Sequence, residues 1–292
     1  MTTPSAADGA RPANGGRAPS PAATSSNPAG RASDDTPLLE LREVGKNFGP
    51  VRALNDINLT LPAGQVTALV GDNGAGKSTL IKTISGIWQP DGGQIYWQGK
   101  PVSLHSPKAA TDLGIATVYQ DLALCDNLDI VQNMFLGREE LKRGQLDEIH
   151  MELEAKKTLS DLSVVTVRSI RQPVGSLSGG QRQAVAVARA VMQNAQLVIM
   201  DEPTAALGVT QTKVVLDLIK TLSSRGIAVL VVSHNLTDVM SVSDRIAVLY
   251  LGTMAAVESA SELDTASIVE LMTTGRSDRT HPRVGQHAGE AS

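Results

Sequence analysis

One eight-residue stretch restricts the possible folds of this chain more than any other feature. It reads Gly71-Asp72-Asn73-Gly74-Ala75-Gly76-Lys77-Ser78 and matches the pattern G-x-x-x-x-G-K-[ST] in full. A short apolar segment at 65–70 precedes it, and a helix is predicted from Lys77 to about Ile87. Glycines let such a loop wrap closely, so that its backbone N–H groups and the positive end of the helix dipole face one anion. The stretch therefore predicts a phosphate-binding loop between a strand and a helix.

The side chains at the end of this loop predict which phosphates it binds. Lys77 supplies a positive charge to the β- and γ-phosphates of a nucleoside triphosphate. Ser78 supplies a hydroxyl ligand for Mg²⁺, and Thr79 follows it in the same first helical turn. We therefore assign the whole loop and Thr79 to binding the phosphates of a nucleoside triphosphate.

A pair of acids ends another apolar segment. Residues 197–200 predict a buried strand, and Asp201 and Glu202 follow directly. In the phosphate-loop template, Asp201 holds Mg²⁺ and Glu202 orients or deprotonates the attacking water. Such a pair alone is equally compatible with a solvated turn, but the phosphate loop upstream favours the catalytic interpretation.

The order of apolar segments predicts an α/β fold. Short apolar strands at 65–70, 115–119, 197–200 and 227–232 alternate with helices, which is typical of a mainly parallel sheet covered by helices. The early segments 38–44, ending in a turn at 45–47, and 54–61 alternate apolar and polar residues and favour an antiparallel β subdomain. Residues from about 122 to 176 carry no buried-strand pattern and predict a helical subdomain.

Composition sets the limits of this domain. Residues 1–36 are dominated by Ala, Gly, Pro, Ser and Thr, and 276–292 are similarly poor in apolar residues, so we expect two disordered tails around a folded domain at 37–275. The formal net charge of −4 and the aromatic content of 2% argue against a nucleic-acid partner. The one cysteine, Cys125, excludes an internal disulfide and is interpreted as a packing residue in a reducing compartment. No apolar run is long enough for a membrane helix, and no signal peptide is recognisable, so we expect a cytoplasmic protein.

Four further motifs, in their order along the chain, resemble a known family. Phe48 follows the first predicted strand, Gln120 follows the strand at 115–119, Leu177-Ser178-Gly179-Gly180-Gln181 precedes a helical stretch at 182–193, and His234 follows the strand ending at Val232. Together with the phosphate loop and the acid pair, they resemble the nucleotide-binding subunit of an ATP-binding-cassette (ABC) transporter. The resemblance covers residues 38–275 and implies the ABC ATPase fold.

The resemblance implies a role for each motif. Gln120 would link Mg²⁺ and the γ-phosphate to the helical subdomain, and His234 would contact the γ-phosphate. Ser178, Gly179, Gly180 and Gln181 would bind the γ-phosphate held by a second copy, in a head-to-tail homodimer that encloses two ATP molecules. Phe48 would stack on adenine, although a phenylalanine there is also compatible with a core position.

Four stretches, at 71–76, 117–124, 133–139 and 206–209, are similar to those of bacterial importers of simple sugars, of the single-cassette fructose or ribose type. This implies separate integral-membrane permease subunits, an extracytoplasmic sugar-binding protein, and a peripheral position on the inner face of the membrane. Residues 125–140 would contact the permease, and ordinary helical packing is the alternative there.

One departure from the family pattern concerns Gly208. It stands where most members carry the aspartate that helps couple the two sites of the dimer. This residue favours one alternative to a sugar importer, an ATP-binding regulatory subunit with little turnover. A separate alternative is a stand-alone cassette in export or a non-transport role.

Overall fold

The computed structural model describes residues 36–164 and 169–276. The tails predicted at 1–36 and 276–292 lie outside these residues, apart from Thr36 and Arg276. Within the described residues the chain forms two large sheets with helices packed around them, as predicted for an α/β fold with a phosphate-loop core. The predicted fold class is confirmed.

The larger sheet has six strands in the order β12-β11-β3-β10-β9-β6. Five of them are parallel, and β12 pairs antiparallel with β11. The strands β3 and β10 are buried along their whole length because helices cover both faces of the sheet. The strands are β3 (Val66–Val70), β6 (Ile115–Val118), β9 (Leu197–Asp201), β10 (Ala228–Val232), β11 (Arg245–Tyr250) and β12 (Thr253–Ser259).

The second sheet is antiparallel, in the order β2-β1-β4-β5. It comprises β1 (Leu39–Phe48), β2 (Val51–Leu61), β4 (Gly92–Trp97) and β5 (Lys100–Val102). Its apolar side chains and those of the larger sheet enclose the first helix in one buried cluster.

The prediction of a turn at 45–47 was wrong. Strand β1 continues through these residues to Phe48, and the register shifts between Leu41 and Val44 and again on either side of Lys46. Glu43, with φ of 52°, lies within this irregular part. A bulge inserts an extra residue into a strand and so interrupts its alternation of apolar and polar residues. The sequence pattern therefore ends before the strand does.

Eight helices lie in the described residues. They are α1 (Lys77–Ile84), α2 (Pro107–Asp112), α3 (Ile130–Phe135), α4 (Glu148–Asp161), α5 (Gly179–Met192), α6 (Val209–Ser224), α7 (Leu236–Val242) and α8 (Thr265–Thr274). Helix α1 ends three residues before the predicted Ile87, because Gly86 adopts a φ of 74° that leaves the helical region. None of these eight has both the length and the apolarity needed to cross a membrane.

Residues 122–176 contain α3, α4 and a short 3-10 turn at Val174–Ser176. They also contain a small hairpin that the sequence reading missed, formed by β7 (Leu141–Lys142) and β8 (Gln145–Leu146). Arg171 joins the parts of this region, because its guanidinium reaches carboxylates of Asp129, Glu148 and Glu152 at 3.4, 3.3 and 3.1 Å.

Candidate functional site

A cavity of about 610 Å³ opens at the carboxyl ends of the strands β9 and β10, beside the loop that follows β3. Ligands of open α/β sheets bind at this edge. We call it the strand-end cavity. Its lining residues are Val51, Arg52, Ala53, Asn73, Gly74, Gly76, Lys77, Ser78, Thr79, Gln120, Asp201, Glu202, Val232, Leu251 and Gly252.

The phosphate loop curves around one end of this cavity, and glycines are required for its path. A Cβ on Gly71 would lie 2.4 Å from the carbonyl oxygen of Leu249. Gly76 has a φ of 108°, and a Cβ there would lie 2.8 Å from the carbonyl oxygen of Ala53. Gly76 caps α1 without any side-chain hydrogen bond to the first helical turn. The first N–H groups of α1 therefore remain available to an anion.

The Lys77 ammonium rests on the loop itself. Its Nζ donates hydrogen bonds to the carbonyl oxygens of Gly71 at 2.7 Å and Asp72 at 3.0 Å. Burial lowers the pKa of Lys77, and the nearby charges of Glu202, Asp72 and Asp201 oppose that shift. An anionic ligand in the cavity would stabilise the charged ammonium further.

The two acids after β9 have different surroundings. Asp201 is half-buried, and its pKa is raised, first by burial and second by the charge of Glu202. Glu202 has a φ of 49°, and its N–H donates to the carbonyl oxygen of Val232 at 2.8 Å. Its Oε2 lies 2.9 Å from Nδ1 of His234. Glu202 and His234, which were predicted from two separate motifs, therefore contact each other at the ends of β9 and β10.

Gln120 lies between two cavities. It lines the strand-end cavity and also a second cavity of about 310 Å³, which Glu202, Gly179 and Gln183 line as well. The loop after Gln120 is tied to α5, because Arg189 donates to the carbonyl oxygens of Leu122 and Ala123 at 3.4 and 3.2 Å. Gln120 therefore stands where the strand-end cavity meets the helical region.

The Ser178 motif begins α5 and does not line the strand-end cavity. The Ser178 hydroxyl accepts a hydrogen bond from the Gln181 N–H at 3.4 Å, and Gln181 Oε1 accepts one from the Ser178 N–H at 2.9 Å. This capping box gives both side chains a role within the chain. Gly179 and Gly180 allow α5 to pack against the following segment, since a Cβ on Gly179 would lie 2.5 Å from Leu207 Cδ2.

Phe48 also lies outside the lining of the strand-end cavity. Its ring is 40% exposed and packs edge-on against Trp88, with 4.6 Å between ring centroids. Two exposed apolar residues that were not predicted, Val51 and Leu251, do line the cavity. No motif marks them, because only the folded sheets bring them next to the phosphate loop.

Gly208 is the N-cap residue of α6. It has φ of −74° and ψ of 161°, and no side chain caps the helix there. Among the described residues, no group of three or more His, Cys, Asp or Glu side chains could hold a metal ion by itself. The three residues predicted to hold Mg²⁺, Ser78, Gln120 and Asp201, all line the strand-end cavity.

These features, namely a glycine-rich loop between a strand and a helix and acids at the end of another parallel strand of the same sheet, define a phosphate-loop nucleotide-binding domain. Residues 54–205 match the ABC transporter family. The chain belongs to this family, as the order of its motifs predicted.

Two sequence relatives match over most of their own length. The chain is 47% identical over 237 residues to the xylose/arabinose import ATP-binding protein XylG of Sulfolobus acidocaldarius, covering 81% of this chain and 94% of that protein. It is 46% identical over 244 residues to the fructose import ATP-binding protein FrcA of Rhizobium meliloti, with the same two shares covered.

Solved structures agree with the fold. The dimeric ATP-binding cassette MJ0796, in a post-hydrolysis state with ADP and Pi bound, superposes with a TM-score of 0.63 at 26% identity. The match covers 76% of this chain and 98% of that one.

Proposed function

We propose that this protein is the ATP-hydrolysing subunit of an importer that moves a simple sugar through a separate membrane permease. One observation carries the ATPase part: residues of the phosphate loop, Asp201 and Glu202 line a single cavity, and Glu202 Oε2 lies 2.9 Å from His234 Nδ1. The names of the relatives, which import xylose, arabinose or fructose, support the sugar.

In this proposal the phosphate loop binds the triphosphate chain of ATP. Gly71, Asp72 and Ala75 shape the loop without lining the cavity, and the backbone N–H groups of the lining residues Gly74 and 76–79 would surround the phosphates. The Lys77 ammonium would leave its carbonyl partners to meet the β- and γ-phosphates. Phe48 stands at the edge of this region as the proposed partner of adenine, although its ring packs on Trp88 and not into the cavity.

The oxygen groups that line the cavity fit a bound Mg²⁺. The Ser78 hydroxyl, the Gln120 amide oxygen and the Asp201 carboxylate are hard ligands of the kind that this cation prefers. When bound, Mg²⁺ would neutralise charge on the phosphate oxygens. Burial disfavours the charged form of the Asp201 carboxylate, and a nearby cation would favour that form and lower the raised pKa.

Glu202 is the proposed base or orienting group for the attacking water. The bond of its N–H to Val232 and the His234 contact at its carboxylate fix both ends of the residue. His234 is the more exposed partner, at 73% against 19% for the Glu202 side chain, so its ring can also reach a γ-phosphate. These positions suit general-base hydrolysis.

The Ser178 motif requires a second copy in this proposal. The motif does not line the cavity that contains the chain's own phosphate loop. Its residues, Ser178, Gly179, Gly180 and Gln181, lie at the start of a helix whose dipole attracts an anion. A head-to-tail homodimer would bring them to the γ-phosphate of the partner's ATP. The dimeric cassette among the similar structures supports this arrangement.

The remaining partners follow from import. We propose integral-membrane permease subunits that hold the chain at the cytoplasmic face, an extracytoplasmic sugar-binding protein that acts through them, and no nucleic acid. Residues 125–140, which follow Gln120 and contain α3, are the proposed permease contact.

Two experiments test the proposal. The first compares ATP hydrolysis by the wild type and Glu202→Gln; we expect measurable hydrolysis only in the wild type, and equal, near-zero rates would contradict the motor function. The second is affinity purification from gently solubilised membranes with mass spectrometry of the co-purifying proteins. A multi-span permease and a sugar-binding protein are expected, whereas ribosomal or DNA-bound partners would overturn the transport assignment.

A further inference from the structure

The turn between β11 and β12 presents an unusual residue. Leu251 is a large apolar side chain that is 70% exposed, and its φ of 42° lies in the left-handed region. Gly252 follows with a φ of 79°, so both central residues of this tight turn have positive φ. Asn, Asp and Gly are the residues preferred in such a turn, whereas the leucine side chain makes positive φ unfavourable and offers no local hydrogen bond in return. A strained, exposed apolar residue at a fixed place points to a contact that the isolated chain does not make.

The turn is attached directly to the phosphate loop. The N–H of Gly252 donates to the carbonyl oxygen of Ala75 at 2.9 Å, and its carbonyl oxygen accepts from the N–H of Asn55 at 2.7 Å. A Cβ on Gly252 would lie 2.8 Å from the Ala53 carbonyl oxygen, so the backbones are in close contact. Leu251 is therefore held in a fixed position relative to the phosphate loop.

The lining of the strand-end cavity combines charged and apolar side chains. The charged and polar part comprises Lys77, Ser78 and the acids after β9. The apolar part includes Leu251 and Val51, which is 61% exposed. A ligand that matches both parts has a charged phosphate chain and a flat, weakly polar group.

We propose that Leu251 contacts the nucleoside part of ATP and, with Val51, raises the affinity for nucleotide over that for phosphate alone. This rests on the proposed ATP binding and adds a residue to it. Covering the leucine with the base or ribose removes apolar surface from water. The strained turn then has a function, because it directs this side chain to the cavity while Gly252 anchors the loop.

The test uses Leu251→Asn in the full chain and titration calorimetry with ATP, ADP and inorganic tripolyphosphate. Asparagine tolerates positive φ, so the turn is retained while the apolar contact is lost. We expect about tenfold weaker binding of ATP and of ADP, on the order of what partial burial of a leucine contributes, and unchanged binding of tripolyphosphate. Leu251→Met keeps an apolar side chain and is expected to bind ATP within about twofold of the wild type.

The matched control is Leu141→Asn. Leu141 is 66% exposed on the hairpin of the helical region, outside the strand-end cavity, and its loss should change none of the three affinities. Wild-type ATP affinity in Leu251→Asn would overturn the proposal, as would equal weakening of ATP and tripolyphosphate. Failure of the wild type itself to bind ATP would instead contradict the proposed function.

Discussion

Replacing Gly208 by aspartate should stabilise the protein in the absence of nucleotide. Gly208 is the N-cap of the 16-residue helix α6, its backbone angles suit any residue, and no side chain caps the helix. A Cβ built there meets nothing within 4 Å, so the new side chain requires no rearrangement. The change therefore adds a helix cap without a steric cost.

The magnitude has three sources. Replacing a glycine lowers the entropy of the unfolded chain by roughly 0.4–1 kcal/mol. Asp in place of Gly as the N-cap contributes a few tenths of a kcal/mol, and a negative charge at the helix start about 0.3–1 kcal/mol. Together they predict an increase of about 1–2 kcal/mol in the free energy of unfolding, with each kcal/mol raising the Tm by roughly 2–4 °C.

Urea unfolding of the full chain, monitored by circular dichroism, measures this difference. Gly208→Ala is the control for chain entropy, because alanine has no capping group, and Gly208→Asn adds a cap without charge. We expect the order Asp, Asn, Ala from most to least stable, with the gap between Asp and Asn shrinking at high salt. An Asp variant no more stable than the Ala variant would refute the reasoning.

Three further predictions concern the strand-end cavity. Lys77→Ala should remove the cation that faces the phosphates, so that ATP affinity or turnover is lost in a filter-binding or hydrolysis assay; unchanged values would contradict the site. Ser178→Arg should leave ATP binding by the monomer intact and stop turnover, because the arginine would block the partner's γ-phosphate, and normal turnover would count against the proposed dimer. The pKa of Asp201 is raised in the folded chain, so folding favours its protonated carboxyl over the ionised form. The resulting stabilisation of the folded state is complete below the carboxyl's ordinary pKa and is lost as the pH rises through the raised value. Asp201→Asn should therefore lose hydrolysis yet be at least as stable as the wild type near neutral pH. Urea unfolding across a pH series measures this, and a less stable variant near neutral pH would contradict the prediction.

The phosphate loop and the acids were predictable because their signals are local. Lys77 and Ser78 follow a strand that is buried along its length, and Asp201 ends another, so residue type and position already restrict the arrangement. A parallel sheet then brings such strand ends to one edge without further information. The confirmed fold class depends on the same short apolar strands.

Features that depend on contacts between distant segments were not predictable. Nothing in the alternation of β1 shows that it continues through bulges to Phe48, because the pairing with β2 and β4 decides its length. Similarly, Leu251 reaches the cavity only through the Gly252 bonds to Ala75 and Asn55, which are far away in the chain. The capping box of Ser178 and Gln181, by contrast, has a local signal, the spacing S-x-x-Q. It was not predicted, because the motif was interpreted only as an anion-binding site.

The placement of backbone strain connects these observations. Among the described residues other than glycine, apolar side chains occupy the left-handed region only at Ala123, Ala206 and Leu251. All three lie in loops near the two cavities: after Gln120, after Glu202, and at the turn bonded to the phosphate loop. Elsewhere in the described chain, positive φ occurs at glycine or at polar residues, and glycine, Asp56 and Asn194 adopt it at lower cost. Strain of this kind persists only where neighbouring bonds enforce it, as the Arg189 contact to the Ala123 carbonyl does. The apolar residues with positive φ therefore coincide with the loops that border the two cavities, where bonds from neighbouring segments hold the backbone in place.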